Sequence, residues 1–171
     1  MERITFQEFQ DMFAISKRAF HLELRDEYRV EDEEIPFERW LRGEPDNFAW
    51  RTEWLSFMTD VTTKGVSVQR ARVVTEPHTD YVRWELALDP QNIESGEDVR
   101  YLPRQCAEDI AFPREDCWLF DGDRLVLSLF KPDGGSGGFA RERDPDLIEQ
   151  YRTVCDQVWS RAMPYAEYLA R

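Results

Sequence analysis

The sequence contains few cysteines and no long apolar run. Its three cysteines, Cys106, Cys117 and Cys155, are an odd number without CxxC or CxxH spacing, which argues against a disulfide framework and a structural zinc site. No stretch approaches the ~20 apolar residues of a transmembrane helix. The N-terminal residues also lack the charged-then-apolar pattern of a signal peptide. We therefore predict a cytoplasmic protein with free thiols and no membrane contact.

Lysine and histidine are scarce as well. Only Lys17, Lys64 and Lys131 are lysines among 22 basic residues, and the two histidines, His21 and His78, lie far apart in the chain. A multi-histidine metal site therefore lacks ligands, and no lysine follows either histidine at the H-x-K spacing of phospholipase-D-type enzymes. A G-x-S-x-G nucleophile motif is also absent. The sequence predicts no cofactor and no metal, and it leaves catalytic residues unassigned.

Apolar residues and acidic residues are both abundant. The chain has 171 residues, of which 42% are hydrophobic and 13% aromatic, so it is long and apolar enough for one domain with its own core. Its formal net charge of −13 repels phosphates and disfavours direct nucleic-acid binding. The acidity suits a basic protein partner, although it equally fits a solvated surface. The oligomeric state is left open.

The N-terminal part, residues 1–65, reads as mainly helical. Thr5 and Glu8 have the spacing of a capping box, which predicts a first helix reaching about Lys17. Alternating apolar residues between 20 and 24 predict an extended segment. A second, short helix is predicted to begin at Pro36, and the apolar face between 50 and 61 predicts a third.

Residues 66–131 carry the signals of a sheet. The β-rich run 66–75, a helical stretch after Pro77 and a second strand at 98–102 predict a right-handed β-α-β crossover. Asp121-Gly122 between two apolar runs predicts a hairpin. Residues 132–143 are glycine-rich and lack the Lys-Ser/Thr of a phosphate-binding P-loop, so a flexible loop is predicted there. Residues 144–171 complete the single domain, 1–171, as a closing helix.

These elements together predict an α+β (or α/β) fold. We expect a single mixed sheet of about four strands, with the β-α-β crossover and a C-terminal hairpin. N-terminal helices and a long C-terminal helix should pack on it.

Arginines around the crossover form the leading candidate site. Arg70 and Arg72 lie two apart on one predicted strand and so share a sheet face. Ligands of open α/β sheets often bind near such crossovers, and converging arginines suit a small anionic ligand. The candidate ligand-binding residues are Arg70, Arg72, Tyr81, Arg83, Glu85 and Arg100, with His78, Glu97 and Asp121 as weaker candidates. The alternative is that Arg70 and Arg72 pair with nearby acids such as Glu85 and Glu97.

Most of the chain, about residues 6–130, resembles an uncharacterised domain family of actinobacteria. The residues that carry the resemblance are Phe20-His-Leu-Glu23, Tyr28, Glu34, Phe37, Trp40-Leu-Arg-Gly43, Arg70-Ala-Arg72-Val-Val, Pro77, Asp80-Tyr81-Val-Arg83-Trp-Glu85, Asn92, Ser95-Gly96-Glu97-Asp98-Val-Arg100-Tyr-Leu and Asp116-Cys-Trp118-Leu-Phe120-Asp121. Cys117 departs from the phenylalanine expected before this tryptophan. The family is similar to proteins often encoded beside XRE-type helix-turn-helix regulators, so the resemblance implies an accessory role in transcription regulation.

Two functions are compatible with these observations. The first is a non-enzymatic regulatory or ligand-sensing domain that acts with a basic or helix-turn-helix protein. The second is a small enzyme of specialised metabolism, in which the arginines would hold an anionic substrate. In that case Glu85, Glu97, His78 or Asp121 would supply acid–base chemistry.

Overall fold

The computed structural model describes residues 1–171, which form six α-helices and one eight-stranded sheet. The helices are α1 (Phe6–Ala14), α2 (Glu31–Leu41), α3 (Thr52–Thr63), α4 (Asp80–Glu94), α5 (Pro145–Arg161) and α6 (Tyr165–Leu169). The strands are β1 (Glu2–Ile4), β2 (Arg18–Glu23), β3 (Ser67–Val74), β4 (Glu97–Pro103), β5 (Asp116–Phe120), β6 (Arg124–Phe130), β7 (Ser136–Glu142) and β8 (Met163–Pro164). None of the helices combines the length and apolar character needed to cross a bilayer.

The sheet is mixed, with the strand order β1-β7-β6-β5-β2-β3-β4-β8. Strands β2, β3 and β4 run parallel to each other, whereas every other neighbouring pair is antiparallel. The prediction of a sheet of about four strands is therefore wrong, although the α+β class stands. The added strands include β1 and β8, which have three and two residues and are too short to show an alternating pattern.

The glycine-rich segment is ordered into β7, which corrects the prediction of a flexible loop at 132–143. Strand β7 pairs with both β6 and β1. A Cβ at Gly137 would lie only 2.9 Å from the carbonyl oxygen of Leu129, so glycine here permits a close approach of two backbones. The glycines of this segment therefore indicate close packing of two strands, and they do not indicate an unstructured loop.

The N-terminal part contains strands as well as helices. Thr5 and Glu8 form the predicted capping box, and α1 ends at Ala14, before Lys17. The predicted extended segment is confirmed as β2, in the middle of the sheet. Helix α2 begins at Glu31 and holds Pro36 in its interior, so the predicted start at the proline is wrong.

The β-α-β connection between neighbouring parallel strands and the hairpin are both present. Strands β3 and β4 are parallel neighbours joined by α4, and Thr79 caps that helix by accepting a hydrogen bond from the backbone N–H of Val82. Strands β5 and β6 form the hairpin, with Asp121 and Gly122 both at positive φ in its turn. The closing helix predicted at 144–171 is present as α5, but it ends at Arg161, and the chain then continues into β8 and α6.

The two faces of the sheet differ in character. On one face, apolar side chains such as Phe20, Leu22 and Val73 pack against α5 in the largest core cluster, which includes the free thiols Cys117 and Cys155. On the other face, the strands meet α1, α3 and α4. Because side chains alternate along a strand, the residues between the apolar ones, among them His21 and Glu23, lie on this second face.

We expect Gly137→Ala to destabilise the fold. The added methyl group must displace the β6 backbone at Leu129, and overpacking of this kind costs about 1–3 kcal/mol. Urea unfolding followed by tryptophan fluorescence would measure the loss. Ser136→Ala, an exposed position of the same strand, should change the free energy of unfolding by less than about 0.5 kcal/mol. Equal stability of both variants would contradict the close-approach explanation.

Candidate functional site

A cleft of about 410 Å³ lies between the second face of the sheet and the helices that cover it. Its floor comes from the strands and is polar, whereas its sides are largely aromatic. The polar residues of the floor are His21, Glu23, Arg70, Arg72 and Asp116, with Glu85 from α4.

Arg70 is held by two carboxylates. Its Nε and Nη2 donate to the two oxygens of Glu97, at 2.7 and 3.1 Å, and its Nη1 donates to Glu23 at 3.2 Å. All three guanidinium nitrogens therefore have partners. Glu97 is one strand away on β4 and Glu23 is one strand away on β2, so Arg70 ties the three parallel strands together.

Arg72 joins the sheet to α4. Its Nη1 donates to Glu23 and, at 2.6 Å, to Glu85; its Nη2 donates to Asp89 at 3.1 Å. Only Nε of this guanidinium is buried without a partner. Because Arg72 is 4% exposed and Asp89 is fully buried, these groups interact with little screening by water.

Asp89 connects this network to a third arginine. It accepts hydrogen bonds from Tyr101 and, at 2.8 Å, from Asn92. Asn92 in turn accepts from Arg51 at 2.6 Å. Burial is the main cause that lowers the pKa of Arg51, to about 10, and the Arg70 charge adds to it.

Asp116 is a second buried carboxyl group at the cleft. One oxygen accepts from the backbone N–H of Leu24 at 2.9 Å and the other from the Tyr28 hydroxyl at 2.5 Å. Burial raises the pKa of Asp116 to about 7, despite these hydrogen bonds, and the nearby Glu23 charge contributes. Asp116 therefore exchanges its proton near neutral pH.

His21 is a neutral imidazole on the floor. Its ring stacks on Trp118 with 4.1 Å between centroids, and Nδ1 is buried without a hydrogen-bond partner. Burial lowers the pKa of His21 to about 3, and Arg70 and Arg72 lower it further against the opposing effect of Glu23. The imidazole is consequently a weak base.

Two aromatic groups flank this polar floor. On one side Phe9 stacks on Phe139 at 4.3 Å and packs edge-on against Trp118, which also contacts Trp54. The residues on the other side, linked by ring contacts of 5.4–5.7 Å, are Phe130, Tyr28, Tyr81, Trp84 and Trp50. We call these groups the Phe9 wall and the Trp84 wall.

The structure brings together part of the predicted arginine site. Arg70, Arg72, Tyr81 and Glu85 all line the cleft, and Glu97 supports it through Arg70. The sequence also allowed Arg70 and Arg72 to pair with nearby acids such as Glu85 and Glu97. The structure has these pairs.

Two predicted arginines lie elsewhere. Arg83 is on the exposed side of α4 and pairs with Asp80. Arg100 lies against the ring of Trp159 on α5, 3.9 Å from its centroid, on the opposite face of the sheet. Neither can reach a ligand in the cleft.

His78 and Asp121 have structural contacts away from the cleft. His78 hydrogen-bonds to the Tyr168 hydroxyl on α6 at 2.5 Å. Asp121 accepts from the backbone N–H groups of Lys17 and Arg18, both at 2.9 Å. It thereby fixes the β5–β6 turn against the start of β2.

Several cleft residues were missed from the sequence. They are His21, Glu23, Asp116 and Arg51. Asp89, which is buried behind the cleft and bonded to Arg72, was missed as well. The alternation that predicted β2 also places His21 and Glu23 on one face, which was an available signal. Asp116 gave no such signal, because its position depends on the pairing of β5 with β2.

We expect Arg72→Met to destabilise the protein strongly. The substitution preserves a similar apolar stem but leaves Glu23, Glu85 and Asp89 without their shared cation, which in buried networks costs about 3–5 kcal/mol. Chemical denaturation would measure this loss. The matched control is Arg83→Met on the exposed side of α4, which should cost less than about 1 kcal/mol. Equal losses for the two variants would show that the buried network does not stabilise the fold.

We expect Asp116 to make stability depend on pH. Its pKa is raised to about 7 in the folded state from about 3.9 in unfolded chains. The folded state therefore binds more protons between these values, and this contribution to stability falls as pH rises through that range. Asp116→Asn removes the contribution. Its stability relative to the native protein should increase with pH, by at most about 1.4 kcal/mol per unit.

Urea unfolding at several pH values between about 4.5 and 7.5 would measure this difference. Asp98→Asn, at an exposed position of β4, is the control for the change from aspartate to asparagine itself. A constant difference between native protein and Asp116→Asn would contradict the raised pKa.

Comparison with solved structures identifies proteins of similar shape. Nuc, a phospholipase D family member from Salmonella typhimurium, matches with a TM-score of 0.52 and 10% identity, over 93% of this chain and 89% of that chain. This likeness shows a shared fold alone. The archaeal chromatin protein TrmBL2 matches with a TM-score of 0.45 and 9% identity, over 92% of this chain and 48% of that chain. No curated protein matches the chain in sequence.

Residues 7–170 match the family described as a domain of unknown function, DUF6879, and the chain belongs to that family.

Proposed function

We propose that this DUF6879 domain is a non-enzymatic ligand-sensing domain that binds a small molecule in the cleft. In this proposal it acts in the cytoplasm of an actinobacterium as an accessory to a DNA-binding transcription regulator. The regulatory part rests on the family resemblance and on the acidic surface, whereas the ligand-binding part rests on the cleft.

The cleft is the observation that carries the proposal. It offers about 410 Å³ between two aromatic walls, above a floor of ordered polar groups. Small-molecule sites typically combine this range of volume with aromatic sides and a few oriented polar groups. The floor is also pre-organised, because its charged side chains already hold each other in place.

The buried charges support a role beyond stability. A buried ion pair is expensive to desolvate, and well-packed apolar residues often serve the fold equally well. The network of Arg70, Arg72 and Glu23 lies directly beneath the cleft. We therefore propose that this network is present because it gives the floor of the cleft the shape and charge that a ligand contacts.

The same contacts favour binding over catalysis. His21 has a pKa of about 3, which is poorly matched to general-base catalysis at neutral pH. Glu23 and Glu85 are both engaged by Arg72. The floor therefore provides well-positioned contacts, and its histidine is a poor proton acceptor.

The outer surface of α2 supports a basic partner. Glu31, Glu34 and Glu38 are exposed there beside exposed Ile35 and Leu41. An acidic surface with apolar side chains among its charges attracts a basic protein and gives it area to bury. The overall charge of −13 acts in the same direction and opposes direct binding of DNA.

Purification of the tagged protein from its native host at low salt would test both parts. We expect mass spectrometry to detect a bound small molecule and a helix-turn-helix regulator that dissociates at high salt. Trp54→Ala should lose the small molecule, and Glu34→Lys/Glu38→Lys should lose the regulator. Arg83→Ala, which faces away from the cleft, should retain both. Recovery of neither would refute the proposal.

The second candidate is a small enzyme, and Asp116 is the observation that favours it. A carboxyl group with a pKa of about 7 in a cleft is suited to proton transfer. The fold of a phospholipase D family member is compatible with an enzyme, although the H-x-K motif is absent. The anionic substrate expected from the arginines stays a prediction. Conversion of the recovered molecule by native protein, but not by Asp116→Asn, would favour this candidate.

A further inference from the structure

We infer that the cleft binds a small organic cation, an amine or alkylated ammonium group carried on an apolar body. This inference rests on the proposed ligand-binding function and names the chemical class of its ligand. It follows from the aromatic walls, the occupied arginines and the excess of carboxyl groups over arginines around the floor.

The aromatic walls provide the first argument. Trp54 on the Phe9 wall and Trp50 on the Trp84 wall line the cleft and are partly exposed there. Trp118 and Trp84 also line it, but they are almost fully buried and stack against His21 and Trp50. Aromatic faces attract a cation through the ring quadrupole, and tryptophan does so best. The same surfaces bury an apolar body, so both parts of the inferred ligand have contacts.

Arg70 and Arg72 are not available to an anion. Every guanidinium nitrogen of Arg70 donates to a carboxylate. Arg72 is left with one buried nitrogen, Nε, which cannot form the two-pronged contact that arginine makes with carboxylate or phosphate. An anionic ligand would have to displace Glu23 or Glu97 from a buried pair.

Acidic groups outnumber the arginines that neutralise them. The cleft is lined by three arginines, Arg51, Arg70 and Arg72, and by five carboxyl groups, Glu23, Asp32, Glu33, Glu85 and Asp116. One further arginine, Arg25, lies at the Trp84 wall, 4.1 Å from the centroid of the Phe130 ring. Glu33 and Asp116 lie outside the arginine network and are held by the hydroxyls of Tyr81 and Tyr28. They are the carboxyl groups best placed to receive an added positive charge.

The proton affinity of these carboxyl groups agrees with that distribution. Burial raises the pKa of Glu33, Glu85 and Asp116, and the Glu23 charge raises each further. These carboxyl groups therefore hold their protons more readily than exposed ones do. A cation bound beside them would favour their ionised form and the release of those protons.

Three benzyl compounds that differ in charge would test the inference. They are benzyltrimethylammonium, benzyl alcohol and phenylacetate, each titrated to about 10 mM, a range that detects millimolar affinity. Two-dimensional NMR of the tryptophan indole N–H groups gives the readout. Trp54 and Trp118 report the cleft, and Trp159, on the opposite face of the sheet, serves as an internal control.

We expect benzyltrimethylammonium to shift the Trp54 and Trp118 signals and leave Trp159 unchanged. Phenylacetate should shift none of the three, and benzyl alcohol should bind at least about 3-fold more weakly than the cation. Trp54→Leu, which keeps an apolar side chain, should weaken the cation about 3- to 30-fold. Glu33→Gln should also weaken it, whereas the matched control Trp159→Leu should bind it with unchanged affinity.

Two other outcomes would overturn the inference, and they differ in what they leave standing. Preferential binding of phenylacetate or benzyl alcohol in the cleft would refute the cation and keep the ligand-binding function. If none of the three compounds perturbs the cleft tryptophans, the cation is refuted, and the proposed function is then decided by whether purification from the native host recovers a small molecule. Equal loss of affinity in Trp54→Leu and Trp159→Leu would likewise count against the aromatic contact.

Discussion

The buried contact of Arg72 with Glu23, Glu85 and Asp89 is the interaction on which the rest of the structure depends. It joins β2, β3 and α4 at one point, where charges are shielded from water. An unpaired charge at this depth is unfavourable, so each element must take a position that completes the network. The position of α4 then sets the Trp84 wall, and the spacing between sheet and helices becomes the cleft.

The local parts of the fold could be predicted from the sequence, whereas the number of strands in the sheet could not. The Thr5 cap, the crossover around α4 and the Asp121-Gly122 turn depend on residues close together in the chain, and each has a recognisable pattern. Strand β7 is different, because its glycines favour many conformations until β6 and β1 fix one. Strands β1 and β8 are defined by their pairing with β7 and β4. They are too short for their own residues to indicate a strand.

The candidate site was predictable to the same degree. The two-residue spacing of Arg70 and Arg72 places both on one face in any strand. The direction of the Arg100 side chain depends on the register between β3 and β4. Arg100 pairs with Ala71 and not with Arg70, so its side chain points towards α5. Asp116 depends on an antiparallel contact more than ninety positions away in sequence, since it bonds Leu24. The residue types indicated a polar site, but which residues line it depends on the pairing of strands that are distant in sequence.

The position of β2 has a consequence for how this family can diverge. It lies inside the sheet, between the parallel neighbour β3 and the antiparallel neighbour β5. A single-residue insertion within it would turn His21 and Glu23 into the α5 core and Phe20 and Leu22 into the cleft. Evolutionary length variation should therefore avoid β2 and accumulate in surface connections such as 42–48. Homologues should differ in loop size while keeping the length of this strand.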